Sequence, residues 1–186
     1  MDGNIIVVSF GRYDKKFNYP EVFEEGHLEV ESKEAAEGSI LADVAKALKY
    51  RAFLPVYSLE AACGVLRDGK IVEPEGWIKA EGVGNLDKTM LVVHAEGDSM
   101  EPKIHDGDLC VVRKVGGGNY NNQIVLVQRN DKMSDPETGG AYLLKKLVKE
   151  DGKTLLRSLN REYPDIAVKN GNGITVVAAL HKVLNG

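Results

Sequence analysis

Cysteine is scarce in this 186-residue chain, which has only Cys63 and Cys110. Two thiols do not suggest a disulfide framework, and no Cys/His spacing resembles a zinc site. Long apolar runs are also missing. Nothing approaches the ~18 apolar residues of a membrane span, and Met1 to Phe10 has no basic region leading into an apolar stretch. The expectation is a cytoplasmic protein that meets no membrane and needs no metal or cofactor. A basic excess is absent too. The net charge is −4 and the pI is near 5.6, which argues against a whole-chain electrostatic grip on nucleic acid. There is no internal repeat and no low-complexity tract.

What is present is enough for a packed core, since 43% of the residues are hydrophobic. Ile5 to Phe10 reads as a short strand, and an acidic stretch from Glu21 to Glu31 follows. Ser32 to Tyr50 reads as a helix, with Ile40, Leu41, Val44, Ala45 and Leu48 at helical spacing. No second helix with a turn glycine accompanies it, so a helix-turn-helix is not expected. From Ala52 onward the texture is β. Phe53 to Tyr57 is a short apolar run, and the glycine-rich, charged stretch from Gly64 to Lys88 reads as exposed hairpins or loop. Strands are expected at Met90 to Ala95, Asp108 to Lys114, Gln123 to Arg129, Tyr142 to Lys149, Thr154 to Leu159 and Ile174 to Val183. The expected fold class is mainly β. A coiled antiparallel β domain over 52–186, with a loop over 58–90, follows a small α/β N-terminal extension over 1–51.

Three short motifs carry chemistry. Gly97-Asp98-Ser99-Met100-Glu101-Pro102 follows a strand, so Ser99 can be presented on a turn with backbone N–H groups nearby to stabilise an oxyanion. Taken alone, the tripeptide Gly97-Asp98-Ser99 reads more readily as a strand-to-turn connection with Ser99 as a helix cap. Leu143-Leu144-Lys145-Lys146-Leu147 places lysines among leucines on a strand, where alternate side chains share a face. Burial disfavours an ammonium, and a neutral amine can take the proton of a serine hydroxyl. Alternation does not choose between Lys145 and Lys146. Both also fit a surface reading in which the stems lie along the protein and the heads reach water. Ala61-Ala62-Cys63-Gly64 is small enough to enter a narrow site as backbone, or to form an ordinary turn.

In this order, these motifs resemble the LexA/UmuD/phage-repressor family of self-cleaving Ser–Lys peptidases. The resemblance runs from about Phe53 to Leu184. Leu54-Pro55-Val56-Tyr57-Ser58 with Ala62-Cys63-Gly64 resembles the scissile region. Gly97 to Pro102 with Asp106-Gly107-Asp108 resembles the nucleophile motif, and Leu144-Lys145-Lys146-Leu147 resembles the strand of the general base. Ser158-Leu159-Asn160 and Tyr163-Pro164-Asp165-Ile166 resemble the tail of the set. The resemblance implies Ser99 as nucleophile, Lys145 as base and Cys63–Gly64 as the bond cut, with Gly97, Asp98 and Met100 around the oxyanion. It also implies a LexA-type β fold, a homodimer, and activation by a RecA–single-stranded-DNA filament in a DNA-damage, phage or defence response. Repressors of this family carry a helix-turn-helix ahead of the cleavage region, and none is found here, so direct DNA binding by this chain alone is not expected. Two other classes remain. One is a non-cleaving dimeric interaction module that regulates a partner. The other is a signal-peptidase-like enzyme, which would normally need a membrane anchor or membrane-facing surface.

Overall fold

The computed structural model describes residues 47–129, 141–168 and 173–184. The expected strand at Ile5 to Phe10, and all but the end of the expected helix at Ser32 to Tyr50, lie outside them. The described chain leaves that helix at Leu48, whose carbonyl accepts from the amides of Arg51 and Ala52 at 3.0 and 2.9 Å. The order is then β1 (Phe53–Tyr57), α1 (Leu59–Asp68), β2 (Gly76–Lys79), β3 (Met90–His94), β4 (Leu109–Lys114), β5 (Ile124–Arg129), β6 (Tyr142–Glu150), β7 (Lys153–Arg157), β8 (Ile166–Val168) and β9 (Ile174–Val183). These strands form one sheet in the order β2-β1-β3-β4-β9-β5-β6-β7-β8.

The mainly β expectation holds, and the six expected strands correspond to β3, β4, β5, β6, β7 and β9. The sheet is mixed rather than wholly antiparallel, because β1 runs parallel to β3 through Val56↔Val92 and Tyr57↔Val93. A parallel neighbour needs a long crossover, and α1 lies within it.

Apolar runs in the central strands are continuous because both faces are covered. On β3, Leu91 and Val93 pack under α1 with Cys110, Val112 and Ile104. Met90 and Val92 face the other way, with Leu54, Val56, Ala80, Val83, Leu109 and Val111. A third cluster joins Val125 and Val127 of β5 to Leu143 and Leu147 of β6 and Leu156 of β7.

The stretch 58–90 is not a single loop. Ser58 caps α1, its side chain accepting from the Ala61 amide at 3.2 Å. Leu59, Ala62, Cys63 and Leu66 recur at i, i+3, i+4 and i+7 and are buried against the sheet. Burying each of the two leucines contributes about 2 kcal/mol. The helix stops at Gly69, which adopts the left-handed conformation (φ 65°) while the Lys70 amide bonds back to the Gly64 carbonyl at 3.1 Å. Charge and glycine further along conceal β2, which pairs with β1. Its Trp77 meets Tyr50 edge-on at 5.2 Å, and Lys49 Nζ lies 4.4 Å from the Trp77 ring centre. The three-residue β8 was too short to carry an alternating pattern.

His94 ends β3 in a buried position, with Nε2 3.2 Å from Glu75 Oε2. Burial lowers its pKa from 6.5, opposed in part by the Glu75 carboxylate. A histidine whose folded pKa is depressed contributes stability above its unfolded pKa, and that contribution is lost as pH falls below it. The protein should therefore lose stability between pH 7.5 and 5.5. His94→Gln should flatten that dependence, read as urea midpoints across the range. Parallel slopes for the two proteins would remove His94 as the cause.

Candidate active site

The turn that carries Ser99, the expected nucleophile, begins where β3 ends. Ala95 is pinned on both sides: its amide donates to the Asp108 carbonyl at 2.8 Å, and its carbonyl accepts from the Gly107 amide at 3.0 Å. Gly97 then takes φ 76°, a left-handed conformation that side chains disfavour, and its amide donates to Asp106 Oδ1 at 2.8 Å. Asp106-Gly107-Asp108 therefore closes this turn from below, the second Asp accepting from the His105 amide at 2.8 Å. Met100 and Ile104 bury their side chains in the core under α1. The Ile104 amide bonds to the Met100 carbonyl at 3.0 Å, and the Glu101 amide to the Asp98 carbonyl at 3.0 Å. Ser99 is thus lifted by a turn anchored at both ends. Its own carbonyl accepts from the amides of Leu159 and Asn160, each at 3.0 Å.

Lys145 comes from the middle of β6, opposite Val125 of β5. The sheet register settles what alternation left open. Lys145 is 3% exposed and hydrogen-bonds Ser99, itself 3% exposed, through Nζ and Oγ. Lys146 has its neighbours on the other face of β6 and is only half-buried. The two groups meet in a small cleft lined by Leu59 of α1, Ala95, Glu96 and Gly97 before the nucleophile, and Tyr142 to Leu144 of β6.

The remaining expected residues fall as follows. Asp98 sits beside the nucleophile, its carboxylate accepting a hydrogen bond from the Tyr163 hydroxyl. Gly97 has its amide on Asp106, so it shapes the turn rather than offering that N–H to an oxyanion. Met100 acts as an anchor in the core. Cys63 and Gly64 lie inside α1, with Cys63 1% exposed. Burial pushes the Cys63 thiol up to about 12, and does the same to Cys110. Both residues of the expected scissile bond also line a hollow beside α1, together with Ser58, Arg67 and Gln128. Tyr142 borders both this hollow and the Ser99 cleft.

Ser99 and Lys145 thus place a hydroxyl and an amine in hydrogen-bond contact, sheltered from water. The sequence matches the family model described as Peptidase S24-like over residues 55–180. This chain belongs to the Peptidase S24-like family. It is the family of the LexA, UmuD and phage-repressor self-cleaving peptidases, whose members are generally serine peptidases. No curated protein matches the chain. Among the described residues of this S24-like protein, no helix is long and apolar enough to cross a membrane. No group of His, Cys, Asp and Glu among them is arranged to hold a metal ion.

Sequence reasoning missed Leu59 and Tyr142 as cleft residues, and it quoted Asn160 and Tyr163 without a role. The helical spacing from Leu59 to Leu66 would have found the first. Nothing in the local pattern marks the others, because Tyr142 reaches the cleft through strand pairing, and Asn160 and Tyr163 reach Asp98 from a turn distant in sequence.

A fluorophosphonate should modify Ser99 in the native protein, detected by peptide mass mapping. Lys145→Ala should slow the reaction by about 100-fold or more, as loss of a general base does. Lys146→Ala should leave it near the parental rate. A reversed ranking of the two lysines would show that the wrong one had been assigned as base.

Proposed function

We propose that this S24-like domain is an autoproteolytic serine peptidase that cuts its own Cys63–Gly64 bond with a Ser99–Lys145 dyad. The observation that carries the reading is the buried hydrogen bond between Lys145 Nζ and Ser99 Oγ, in a cleft bordered by the helix that holds the bond to be cut. In this mechanism neutral Lys145 takes the Ser99 proton as Oγ attacks the Cys63 carbonyl carbon. The resulting ammonium gives that proton to the Gly64 nitrogen, which leaves as a new N-terminus. Water then hydrolyses the Cys63 ester and frees Ser99. Because the substrate belongs to the same chain, its effective concentration is high and the reaction needs restraint.

Helix α1 supplies that restraint. In a helix the Cys63 carbonyl points along the axis to the amide four residues on, and its peptide is not open to attack. Cys63 is also part of the core. Cleavage therefore requires α1 to unwind locally and pass an extended segment into the cleft. The family further suggests a homodimer and a regulatory role in an SOS-like, phage or defence response, with a RecA–single-stranded-DNA filament as the agent that favours the opened form.

A second reading has one observation in its favour. A scissile bond held in a buried helix also suits a non-cleaving module that regulates a partner through its surface.

Incubation of the purified chain at rising pH separates the two. An amine accepts a proton only as the free base, so cleavage should accelerate with pH and be first order in protein. Lys145→Arg should be inactive throughout, because guanidinium stays protonated. Mass spectrometry should show new ends at Cys63 and Gly64. Ser58→Ala and Gly69→Ala weaken the two ends of α1 without touching dyad or bond. A loss of about 1 kcal/mol of helix stability should accelerate cleavage and Cys63 alkylation about fivefold. An intact chain at every pH, with Ser99→Ala indistinguishable from the parent, would favour the non-cleaving module. Fragments that end elsewhere would remove Cys63–Gly64 from the mechanism.

A further inference from the structure

The turn from Ser158 to Pro164 joins β7 to β8 and packs against both halves of the dyad. Its first part holds the nucleophile from behind, since the amides of Leu159 and Asn160 both donate to the Ser99 carbonyl at 3.0 Å. Asn160 Nδ2 lies 3.4 Å from the Asp98 carbonyl. The turn is braced internally: the Glu162 amide donates to Asn160 Oδ1 at 3.1 Å, and the Tyr163 amide to the Asn160 carbonyl at 3.3 Å. Its flanks are tied by Arg157, which pairs with Asp165 at 2.7 Å and with Glu150 of β6 at 2.6 Å. At its far end the Tyr163 hydroxyl donates to Asp98 Oδ1, and the centre of the Tyr163 ring lies 5.9 Å from Lys145 Nζ. One side chain thus reaches the residue before the nucleophile and also stands beside the base.

We propose that Tyr163 is a positioning residue for the Ser99–Lys145 dyad, acting through its hydroxyl on Asp98. The proposal rests on the dyad reading above. A hydrogen bond from a phenol to a carboxylate is charge-assisted and stronger than a neutral one. It fixes the Asp98 side chain, and with it the twist of the turn that aims Ser99 Oγ at Lys145. The backbone bonds from Leu159 and Asn160 hold the Ser99 main chain in place, so removing the hydroxyl should leave the fold intact and loosen only the aim of the nucleophile. Attack geometry tolerates little error, and small displacements at a reacting atom slow chemistry by large factors.

The test uses the full chain and reads the rate at which a fluorophosphonate modifies Ser99. In that step the Oγ–phosphorus bond forms, fluoride leaves and the serine proton passes to Lys145. This readout does not require the Cys63–Gly64 bond to be cut. Tyr163→Phe and Asp98→Ala should each slow modification about tenfold, the scale of one lost charge-assisted hydrogen bond. The Tyr163→Phe/Asp98→Ala double variant should be no slower than either single one, because both remove the same contact. Asp98→Asn keeps an acceptor oxygen and should recover part of the rate. Melting temperatures should stay within about 3 °C of the parent. A parental rate for Tyr163→Phe would overturn the positioning role, and so would losses that multiply in the double variant or that follow the melting temperature. A parent modified no faster than Lys145→Ala would overturn the dyad itself, and the role of Tyr163 with it.

Discussion

The hydrogen bond between Lys145 and Ser99 is the contact on which the proposed chemistry of this domain depends, and neither residue can make it alone. A serine hydroxyl is a weak nucleophile without a base, and a lysine is a useful base only where it can shed its proton. The fold brings the pair into contact away from water, and that placement is the work of the whole sheet. Lys145 is presented by the register of β6 on β5. A slip of one residue would carry Lys146 into its place and turn Lys145 away. Ser99 is presented by a turn pinned through Ala95, Asp106 and Asp108 on one side and through Leu159 and Asn160 on the other. The central strands β3 and β4 are buried on both faces and provide a stiff platform for that turn.

In the proposed reaction helix α1 stands against this site as a removable obstacle. Leu59 borders the cleft, while Ala62, Cys63 and Leu66 belong to the core beneath it. The same residues therefore stabilise the resting fold and, in the proposed reaction, become the substrate. A peptidase joined to its own substrate needs a barrier of a few kcal/mol rather than an absolute block, and a ten-residue helix held by caps and one apolar face provides a barrier of that size. The caps at Ser58 and Gly69 lie outside the scissile bond, so the barrier can be adjusted without altering the chemistry.

A division of labour follows from this arrangement. In the proposed mechanism the sheet carries the base, the turn after β3 carries the nucleophile, and the turn after β7 braces that turn through Tyr163 on Asp98 and through the Ser99 carbonyl. Three segments far apart in the chain converge on one small cleft. A site built this way keeps its geometry as long as the sheet holds its pairing.

Much of this was legible in the linear chain where the governing interactions are local. Alternating and continuous apolar runs gave six strands. Gly97-Asp98-Ser99 between two strands gave the turn of the candidate nucleophile, and paired lysines among leucines gave two candidates for the base. The caps and spacing of α1 were equally local, at Ser58, Leu59, Ala62, Cys63, Leu66 and Gly69, but the small residues Ala61 to Gly64 read more readily as a scissile turn than as a helix face. Other features had no local signature. β2 owes its place to pairing with β1 and to the Trp77–Tyr50 contact. Alternation left Lys145 and Lys146 open and only the family resemblance named Lys145, which the strand register sets against Ser99, while Asn160 and Tyr163 meet the Asp98–Ser99 turn across some sixty residues of chain. Propensity and periodicity act over a few residues, so they specify elements and candidate groups. Contact between a serine and a lysine 46 positions apart is decided by the pairing of strands, which only the assembled sheet enforces.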